Sequence, residues 1–232
     1  MDGARKMLEG MARYHRHRVH GLEHVPAEGP ALFAVNHSLA TYDVGLLVLA
    51  VYKRTGRIMR GLGDRSLFTT PGLRDLVPRL GVVDADPRQA RRLLDAGELI
   101  VVAPGGMREA LRTRAQRYTV QWDDRQGFAR LAIEAGVPVI LGACPRADDV
   151  FTAYKNPLTP RIYDRLRLPL PLARGLGPTA IPRPIALTHT LRAPIQPPEV
   201  GEGGIEEVLG EFHDRLVWEM EGLMVRALER RL

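Results

Sequence analysis

The chain has 232 residues, of which 45% are hydrophobic and 26% are charged, and its formal net charge is +6. This length suits one large α/β domain with a substantial core and is short for two full domains. The positive balance favours anionic partners such as phosphates or an acidic bilayer surface. Because the sequence contains neither a zinc-finger nor an RNA-binding signature, we expect no nucleic-acid partner.

Residues 4–17 predict a short amphipathic helix with cationic flanks, and we treat residues 1–17 as a segment distinct from the main domain at 18–232. Such a helix either lies on an anionic membrane surface or packs on the domain's own core. The amino terminus lacks the apolar centre of a signal peptide. The longest apolar run, Val44 to Tyr52, is far shorter than the roughly 18 residues of a membrane span. We therefore expect a cytoplasmic protein that is peripheral on the inner face of the membrane.

Apolar runs typical of strands alternate with helical patterns along the chain. Strands are expected at 18–25, 30–36, 57–62, 81–84, 99–103 and 137–143. Helices are expected at 43–54, 73–80, 87–96, 126–135 and 205–228. This alternation predicts a single α/β domain, in which helices flank both faces of a mostly parallel, mixed central sheet.

Two stretches near the carboxyl terminus interrupt this alternation. Prolines and arginines alternate with leucines in 155–184, which we interpret as a long surface segment facing the substrate or the membrane. Residues 184–195 then return as a strand pair or an edge strand. The single cysteine, Cys144, ends an apolar run, which predicts a buried, inert thiol and fits a reducing compartment.

Polar residues suited to chemistry stand where the run Ala31 to Val35 ends, beginning with Asn36 and His37. In an open α/β sheet, ligands bind at the carboxyl ends of the strands. His37 is a candidate general base, because imidazole accepts a proton near neutral pH. Asp43 can orient the imidazole and stabilise the imidazolium. Since helix neighbours are three or four residues apart, this pairing needs a looped corner between strand and helix.

A second polar stretch follows the strand expected at 99–103. The adjacent Gly105 and Gly106 let the backbone approach a ligand closely and offer its N–H groups. Arg108 adds a permanent charge that can bind a phosphate or carboxylate. The stretch predicts an anion-binding loop.

We expect neither a covalent nucleophile nor a metal. The two serines, Ser38 and Ser66, lie outside a Gly-x-Ser-x-Gly elbow, so base-assisted attack by a substrate hydroxyl is the simpler mechanism. His20 and His24 fall in a predicted strand, where their spacing does not bring the two rings together, and the sequence has no zinc-type cluster.

These blocks, in this order over roughly residues 18–145, resemble the lysophospholipid acyltransferase superfamily of PlsC-like glycerolipid acyltransferases. Asn36-His37 with Asp43 resembles the family's His-x4-Asp block, with one additional residue in the spacer. Pro104-Gly105-Gly106-Met107-Arg108 resembles its Pro-Glu-Gly-Thr-Arg block, and Glu109 follows the arginine. The Pro-Gly-Gly-x-Arg-Glu form is similar to the diacylglycerol acyltransferase-like branch, whose acceptor is often a neutral glyceride.

The resemblance implies that domain 18–232 transfers a fatty acyl group from acyl-CoA or acyl-carrier protein to a hydroxyl of a glycerolipid or lysolipid, without a bound cofactor. It implies His37 as the catalytic base and Asp43 as its orienting partner. Substrate contacts are expected from Asn36, Gly105, Gly106, Arg108 and Glu109. Two alternatives stay open: an acyl-thioester hydrolase, and a non-catalytic lipid-binding protein on the same scaffold.

Overall fold

The computed structural model describes residues 2–69, 73–154 and 172–230. Its helices are α1 (Asp2–Tyr14), α2 (Tyr42–Thr55), α3 (Ser66–Thr69), α4 (Leu73–Leu76), α5 (Pro87–Asp95), α6 (Gly106–Ala110), α7 (Gly127–Ala135) and α8 (Ile205–Glu229). Its strands are β1 (Arg18–His20), β2 (Ala31–Val35), β3 (Met59–Gly63), β4 (Val82–Asp84), β5 (Leu99–Val102), β6 (Val139–Ala143), β7 (Thr152–Tyr154), β8 (Leu172–Arg174) and β9 (Thr188–Leu191). Short 3₁₀ turns lie at Leu22–His24, Pro78–Leu80, Arg114–Gln116 and Pro145–Asp149.

Within the described residues, seven strands form one sheet in the order β1-β9-β6-β2-β5-β3-β4. Neighbouring strands are parallel except for β6 and β9, which are antiparallel. Strand β2 is the middle strand, and all of its residues are buried. A strand covered on both faces has apolar side chains in both directions, which explains its uninterrupted apolar run. The predicted α/β fold with a mostly parallel, mixed sheet is confirmed.

Alternate residues of β2 enter two different cores, as the pleat requires. Leu32 and Ala34 pack in a cluster with side chains of α5, α7 and α8. Phe33 and Val35 pack on the other face, in a cluster that includes Leu47 of α2. Helices therefore cover both faces, and the polar loops lie at the ends of the strands.

Four predicted segments differ in detail. The helix expected at 73–80 is shorter, because α4 ends at Leu76 and a separate 3₁₀ turn with Pro78 at its start covers Pro78–Leu80. The first strand ends at His20, and a 3₁₀ turn over Leu22–His24 follows Gly21, whose φ is 85°. Strand β9, within 184–195, is not an edge strand, because it pairs with both β1 and β6. In the proline-rich segment 155–184, β8 pairs with β7 in a separate two-stranded sheet, while residues 155–171 lie outside the described residues.

Helix α1 packs on the rest of the domain. Leu8 and Met11 join a core cluster with residues of α2 and the end of β6. Glu9 pairs with Lys53 of α2 at 3.1 Å. Met7 keeps 55% of its surface exposed. Among the helices of the described residues, none is both long enough and apolar enough to cross a membrane.

Candidate active site

His37 lies in the loop that follows the central strand β2, at the carboxyl end of the sheet. Its main-chain N–H donates to Glu109 Oε2 at 2.8 Å, and its carbonyl accepts from Arg112 Nη2 at 2.6 Å. Burial and, to a smaller extent, the charge of Arg112 lower the pKa of the imidazole from 6.5 to about 4. The ring is therefore neutral at pH 7, the form that can accept a proton.

Asp43 lies in the first turn of α2 and is fully buried. Its Oδ1 accepts a hydrogen bond from the hydroxyl of Ser38 at 3.1 Å. Burial raises the pKa of the carboxyl group from 3.8 to about 7, although the bond from Ser38 opposes that shift. Near neutral pH the group is thus balanced between its carboxylate and carboxylic acid forms.

His37 and Asp43 both lie in the described part of the chain, at the corner between β2 and α2. Their side chains form no hydrogen bond with each other. His37 Nδ1 and Asp43 Oδ2 are buried and have no partner within the described residues. The nitrogen can carry a proton and the oxygen can accept one. Thr41, in the spacer between them, has a φ of 52°, which is a strained conformation for a β-branched residue. The pairing of the two side chains stays a prediction.

Asn36 joins the ends of two central strands. Its amide oxygen accepts from the N–H of Cys144 at 2.7 Å, and its amide nitrogen donates to the Cys144 carbonyl at 3.3 Å. Both residues are buried, which confirms the predicted burial of the thiol, and burial raises the pKa of that thiol well above its usual value. The amide of Asn36 thus stabilises the fold at this position, and its contact with substrate stays a prediction.

The glycine-rich stretch forms a short helix rather than an open loop. Helix α6 begins at Gly106, and Glu109 on it is fully buried. The carboxylate of Glu109 accepts from two main-chain N–H groups, those of His37 at 2.8 Å and Gln121 at 3.0 Å. A Cβ at Gly105 would overlap the Glu109 side chain. The absence of a side chain at Gly105 therefore lets Glu109 fold back toward the His37 loop.

Arg108 lies at the surface, where its side chain is 56% exposed and pairs with Asp123. The N–H of Gly106, expected to face an anion, donates instead to the carbonyl of Ala103 at 3.0 Å. Of the predicted residues of this stretch, Glu109 thus reaches the His37 loop, while Arg108 pairs elsewhere within the described residues. Anion binding by Arg108 stays a prediction.

Arg112 and Asp148 are the site residues that sequence reasoning missed. Arg112 Nη2 donates to Asp148 Oδ1 at 2.9 Å, and Asp148 Oδ2 accepts from the N–H of Tyr118 at 2.9 Å. The side chains of the pair are 2% and 5% exposed. The available signal was the spacing from Glu109 to Arg112, three residues, which brings side chains together on a helical turn.

A small cleft with a cavity volume of about 10 Å³ lies beside these charges. Its charged lining residues are Glu109, Arg112 and Asp148, and its apolar ones are Leu39, Ala110, Ala147, Phe151 and Ala153. Because the lining contains one arginine and two carboxyl groups, it has no excess of positive charge.

A second group of polar side chains lies around Asp43. Asp43, Cys144 and His189 each present one ligand atom within 4.8 Å of the others, and all three are buried. His189 Nδ1 is 2.9 Å from Nε2 of His17. Carboxylate, thiolate and imidazole are ligand types of zinc, but burial here favours the protonated thiol, which is not a ligand. Sequence reasoning missed this group because its members come from three distant elements.

A family model described as Acyltransferase matches residues 16–141, more than half of the chain. The chain belongs to the acyltransferase family. The matched range contains the His37 loop, the start of α2 and all of α6, so the motif-based resemblance is confirmed.

Curated relatives align with part of this chain. A Bos taurus protein named "DGAT1/2-independent enzyme synthesizing storage lipids" is 34% identical over 144 residues, covering 60% of this chain and 43% of the relative. "Phytyl ester synthase 1, chloroplastic" of Arabidopsis thaliana is 28% identical over 138 residues, covering 57% of this chain and 20% of the relative. The chain thus spans less than half the length of these relatives.

A solved structure shares the fold of this chain. The 1-acyl-sn-glycerophosphate acyltransferase PlsC from Thermotoga maritima superposes with a TM-score of 0.50 at 18% identity, covering 94% of this chain and 82% of that one. The likeness supports the arrangement of sheet and helices described above.

Proposed function

We propose that the chain is an O-acyltransferase that moves a fatty acyl group from acyl-CoA or acyl-carrier protein to a hydroxyl of a glycerolipid or lysolipid, with His37 as general base. The observation that carries this proposal is a neutral imidazole, held through both main-chain polar groups of its residue at the end of the central strand. Family membership supports it. Relatives named for the synthesis of storage lipids and phytyl esters support a lipid acceptor.

In the proposed reaction one proton moves twice. His37 takes the proton of the acceptor hydroxyl while the hydroxyl oxygen attacks the carbonyl carbon of the thioester. The tetrahedral intermediate then loses its C–S bond, and the imidazolium returns the proton to the departing thiolate. An ester and a free thiol result, without a covalent enzyme intermediate.

Asp43 is proposed to orient the imidazole. When His37 Nδ1–H donates to Oδ2 of Asp43, Nε2 is left as the base. Catalytic hydrogen bonds often tighten only when substrate binds, so this bond is expected in the complex. The imidazolium formed during the reaction would favour the carboxylate form of Asp43, whose pKa lies about 7.

We propose an uncharged acceptor. The arginine that lines the described cleft, Arg112, is already paired with Asp148 and Glu109. Arg108 is paired with Asp123 at the surface. A phosphate headgroup needs a cation whose charge is not neutralised by the protein itself. A neutral glyceride or a long-chain alcohol is therefore the better candidate.

We also propose that the protein works in the cytoplasm on the anionic inner surface of a membrane, where its lipid acceptor resides. Helix α1 presents Lys6, Met7 and Arg13 as exposed side chains on a helix whose inner side packs on the domain. Basic side chains beside an exposed apolar one suit an interface with anionic lipid.

The test is incubation of the purified protein with oleoyl-CoA and a mixture of lysophosphatidate, monoacylglycerol, diacylglycerol and phytol, followed by mass spectrometry of the products. We expect an ester that requires an acceptor and forms preferentially on the neutral ones. His37→Ala should lower turnover by at least about 10²-fold. The matched variant His20→Ala changes an exposed histidine of β1 and should keep wild-type turnover.

The same assay separates the alternatives. Release of fatty acid at an equal rate without any acceptor would identify a thioester hydrolase. Lipid that co-purifies without turnover would identify a lipid-binding protein. A parallel reaction with oleoyl-acyl-carrier protein identifies the preferred donor, and wild-type turnover by His37→Ala would remove the proposed mechanism.

A further inference from the structure

Arg112 follows α6, and its guanidinium makes contacts in several directions from a side chain that is 2% exposed. Nη2 donates to the His37 carbonyl at 2.6 Å and to Asp148 Oδ1 at 2.9 Å, and Nη1 donates to the Thr119 carbonyl. Nη1 also lies 3.4 Å from Oε1 of Glu109, whose other oxygen accepts from the His37 N–H. One short stretch of chain thus holds both main-chain polar groups of His37.

We propose that Arg112 is a positioning residue for His37, in which the guanidinium, itself fixed by Asp148, holds the peptide that carries the imidazole beside the cleft. This inference rests on the proposed role of His37 as general base. In this role Arg112 acts through His37 and not by contacting the substrate.

Arg57 is the natural comparison within this chain. Its guanidinium donates to the carbonyls of Pro26 at 2.8 Å, Gly29 at 2.7 Å and Gly97 at 2.6 Å. These carbonyls precede β2 and β5, so Arg57 stabilises loops at the amino ends of the strands, opposite to His37. A structural arginine of this kind remains partly exposed.

Arg112 differs from Arg57 in burial and in its ionic partner. A buried ion pair such as that of Arg112 and Asp148 loses much of its hydration, and apolar side chains of similar volume often stabilise a fold at least as well. Stability alone is therefore a weak reason for an arginine here. The geometry offers a stronger reason for an arginine, because the Nη2 that donates to Asp148 also donates to the His37 carbonyl.

The charge of Arg112 has a second consequence for His37. Beyond burial, this cation lowers the pKa of the imidazole, which favours the neutral base. Three carboxyl groups lie around the loop: Asp43 from α2, Glu109 from α6 and Asp148 from the 3₁₀ turn after β6. When ionised, each raises the pKa of the imidazole. Tyr42 of α2 and Cys144 after β6 also lie at this corner, and burial raises the pKa of both, so they are neutral near pH 7.

The experiment compares Arg112→Gln, Arg112→Lys and Asp148→Asn with Arg57→Gln in the full chain. For Arg112→Gln we expect kcat to fall by about 10²-fold with KM little changed, because a displaced base affects the chemical step. The acid limb of its pH–rate profile should move up by about one pH unit, because the cation is lost. Arg112→Lys keeps the charge, so the acid limb of its pH–rate profile should stay at the wild-type position. Its kcat should be intermediate between those of the wild type and Arg112→Gln. Asp148→Asn should lower kcat through a less firmly held guanidinium.

Arg57→Gln should lower the denaturation midpoint. It should leave kcat, KM and the acid limb of the pH–rate profile as they are in the wild type. The proposal is overturned if Arg112→Gln behaves in the same way. If Arg112→Gln does not fold, wild-type kcat in both Arg112→Lys and Asp148→Asn overturns it equally.

NMR titration of the His37 ring separates this inference from the proposed function. A ring pKa that rises in Arg112→Gln supports the contact between charge and base whether or not turnover is found, and an unchanged pKa contradicts it. Full activity in His37→Ala would instead refute the general base and leave the titration result standing.

Discussion

The carboxylate of Glu109 accepts a hydrogen bond from the main-chain N–H of His37 at 2.8 Å, across 72 positions of sequence. Its second oxygen accepts from the N–H of Gln121 at 3.0 Å. Glu109 therefore ties the loop of the proposed base to a second loop beyond α6, and both of its oxygens act as acceptors in a buried place.

Glu109→Gln should destabilise the protein and slow turnover. A glutamine side chain has one acceptor oxygen, so one of the two buried N–H donors would face an NH₂ group and lose its bond. A buried N–H group without an acceptor should lower the free energy of unfolding, measured in urea, by about 1–3 kcal/mol. Glu221→Gln, an exposed change on α8, should stay within about 0.5 kcal/mol of wild type. Equal stability of the two variants would contradict the bridging role of Glu109.

Gly105→Ala should displace Glu109, because the added methyl group would overlap its side chain. We expect a loss of about 1–3 kcal/mol in the free energy of unfolding, typical of overpacking, together with lower turnover. Gly127→Ala is the matched control at the start of α7, since its added methyl group meets no heavy atom within 4 Å. That control should be neutral or slightly stabilising, because alanine favours a helix over glycine. Wild-type behaviour of Gly105→Ala would show that Glu109 has room to move.

Whether the sequence predicts a residue of this site depends on how far along the chain the partners of that residue lie. Strands β2, β5 and β6 are predictable because burial on both faces requires uninterrupted apolar runs. The His37 loop is predictable because polar residues follow such a strand. The packing of Glu109 is not, because two glycines suggest an open loop and the partner of Glu109 lies 72 residues away.

Arg112 illustrates the same limit more sharply. It is one of 33 basic residues, nearly all arginine, and its three-residue spacing from Glu109 does not by itself mark it as buried. Two of its partners, the carbonyl of His37 and the carboxylate of Asp148, are distant in sequence, and only the folded sheet brings them to Arg112. Long-range pairing of this kind leaves no periodic signal in one sequence.

Asp43→Asn should make the protein more stable at alkaline pH and less active. Burial raises the pKa of Asp43 from 3.8 to about 7, so between these values the folded state holds a proton that the unfolded state has lost. Stability contributed by this group is present below pH 4 and is lost as pH rises through 7. The unfolding free energy of Asp43→Asn minus that of wild type should therefore increase from pH 5 to pH 8, by on the order of 1–3 kcal/mol.

The activity of Asp43→Asn is the second readout. An amide NH₂ cannot accept the proton of His37 Nδ1, so turnover should fall by at least about 10²-fold if Asp43 orients the base. Asp124→Asn, at an exposed site, should leave both stability and turnover unchanged. A pH-independent stability difference for Asp43→Asn would mean that the carboxyl group titrates normally.

Chelation should leave turnover unchanged. A cation held by Asp43, Cys144 and His189 would occupy the carboxylate that the proposed base requires. Dialysis against EDTA is therefore expected to have no effect. Turnover that falls on dialysis and returns with Zn²⁺ would instead make this cluster a functional metal site.

Binding of α1 to an anionic surface should appear as co-sedimentation with vesicles that contain phosphatidylglycerol at low ionic strength, and it should weaken as salt rises. Reversing two exposed charges with Lys6→Glu and Arg13→Glu should lower the bound fraction by at least about tenfold, since each basic residue near such a surface contributes about 1 kcal/mol. The double variant Arg79→Glu and Arg88→Glu makes the same net-charge change near edge strand β4 and should retain binding. Equal losses in both would mean that net charge alone is responsible. Failure of the wild type to sediment at low salt would leave α1 as a helix that only packs on the domain.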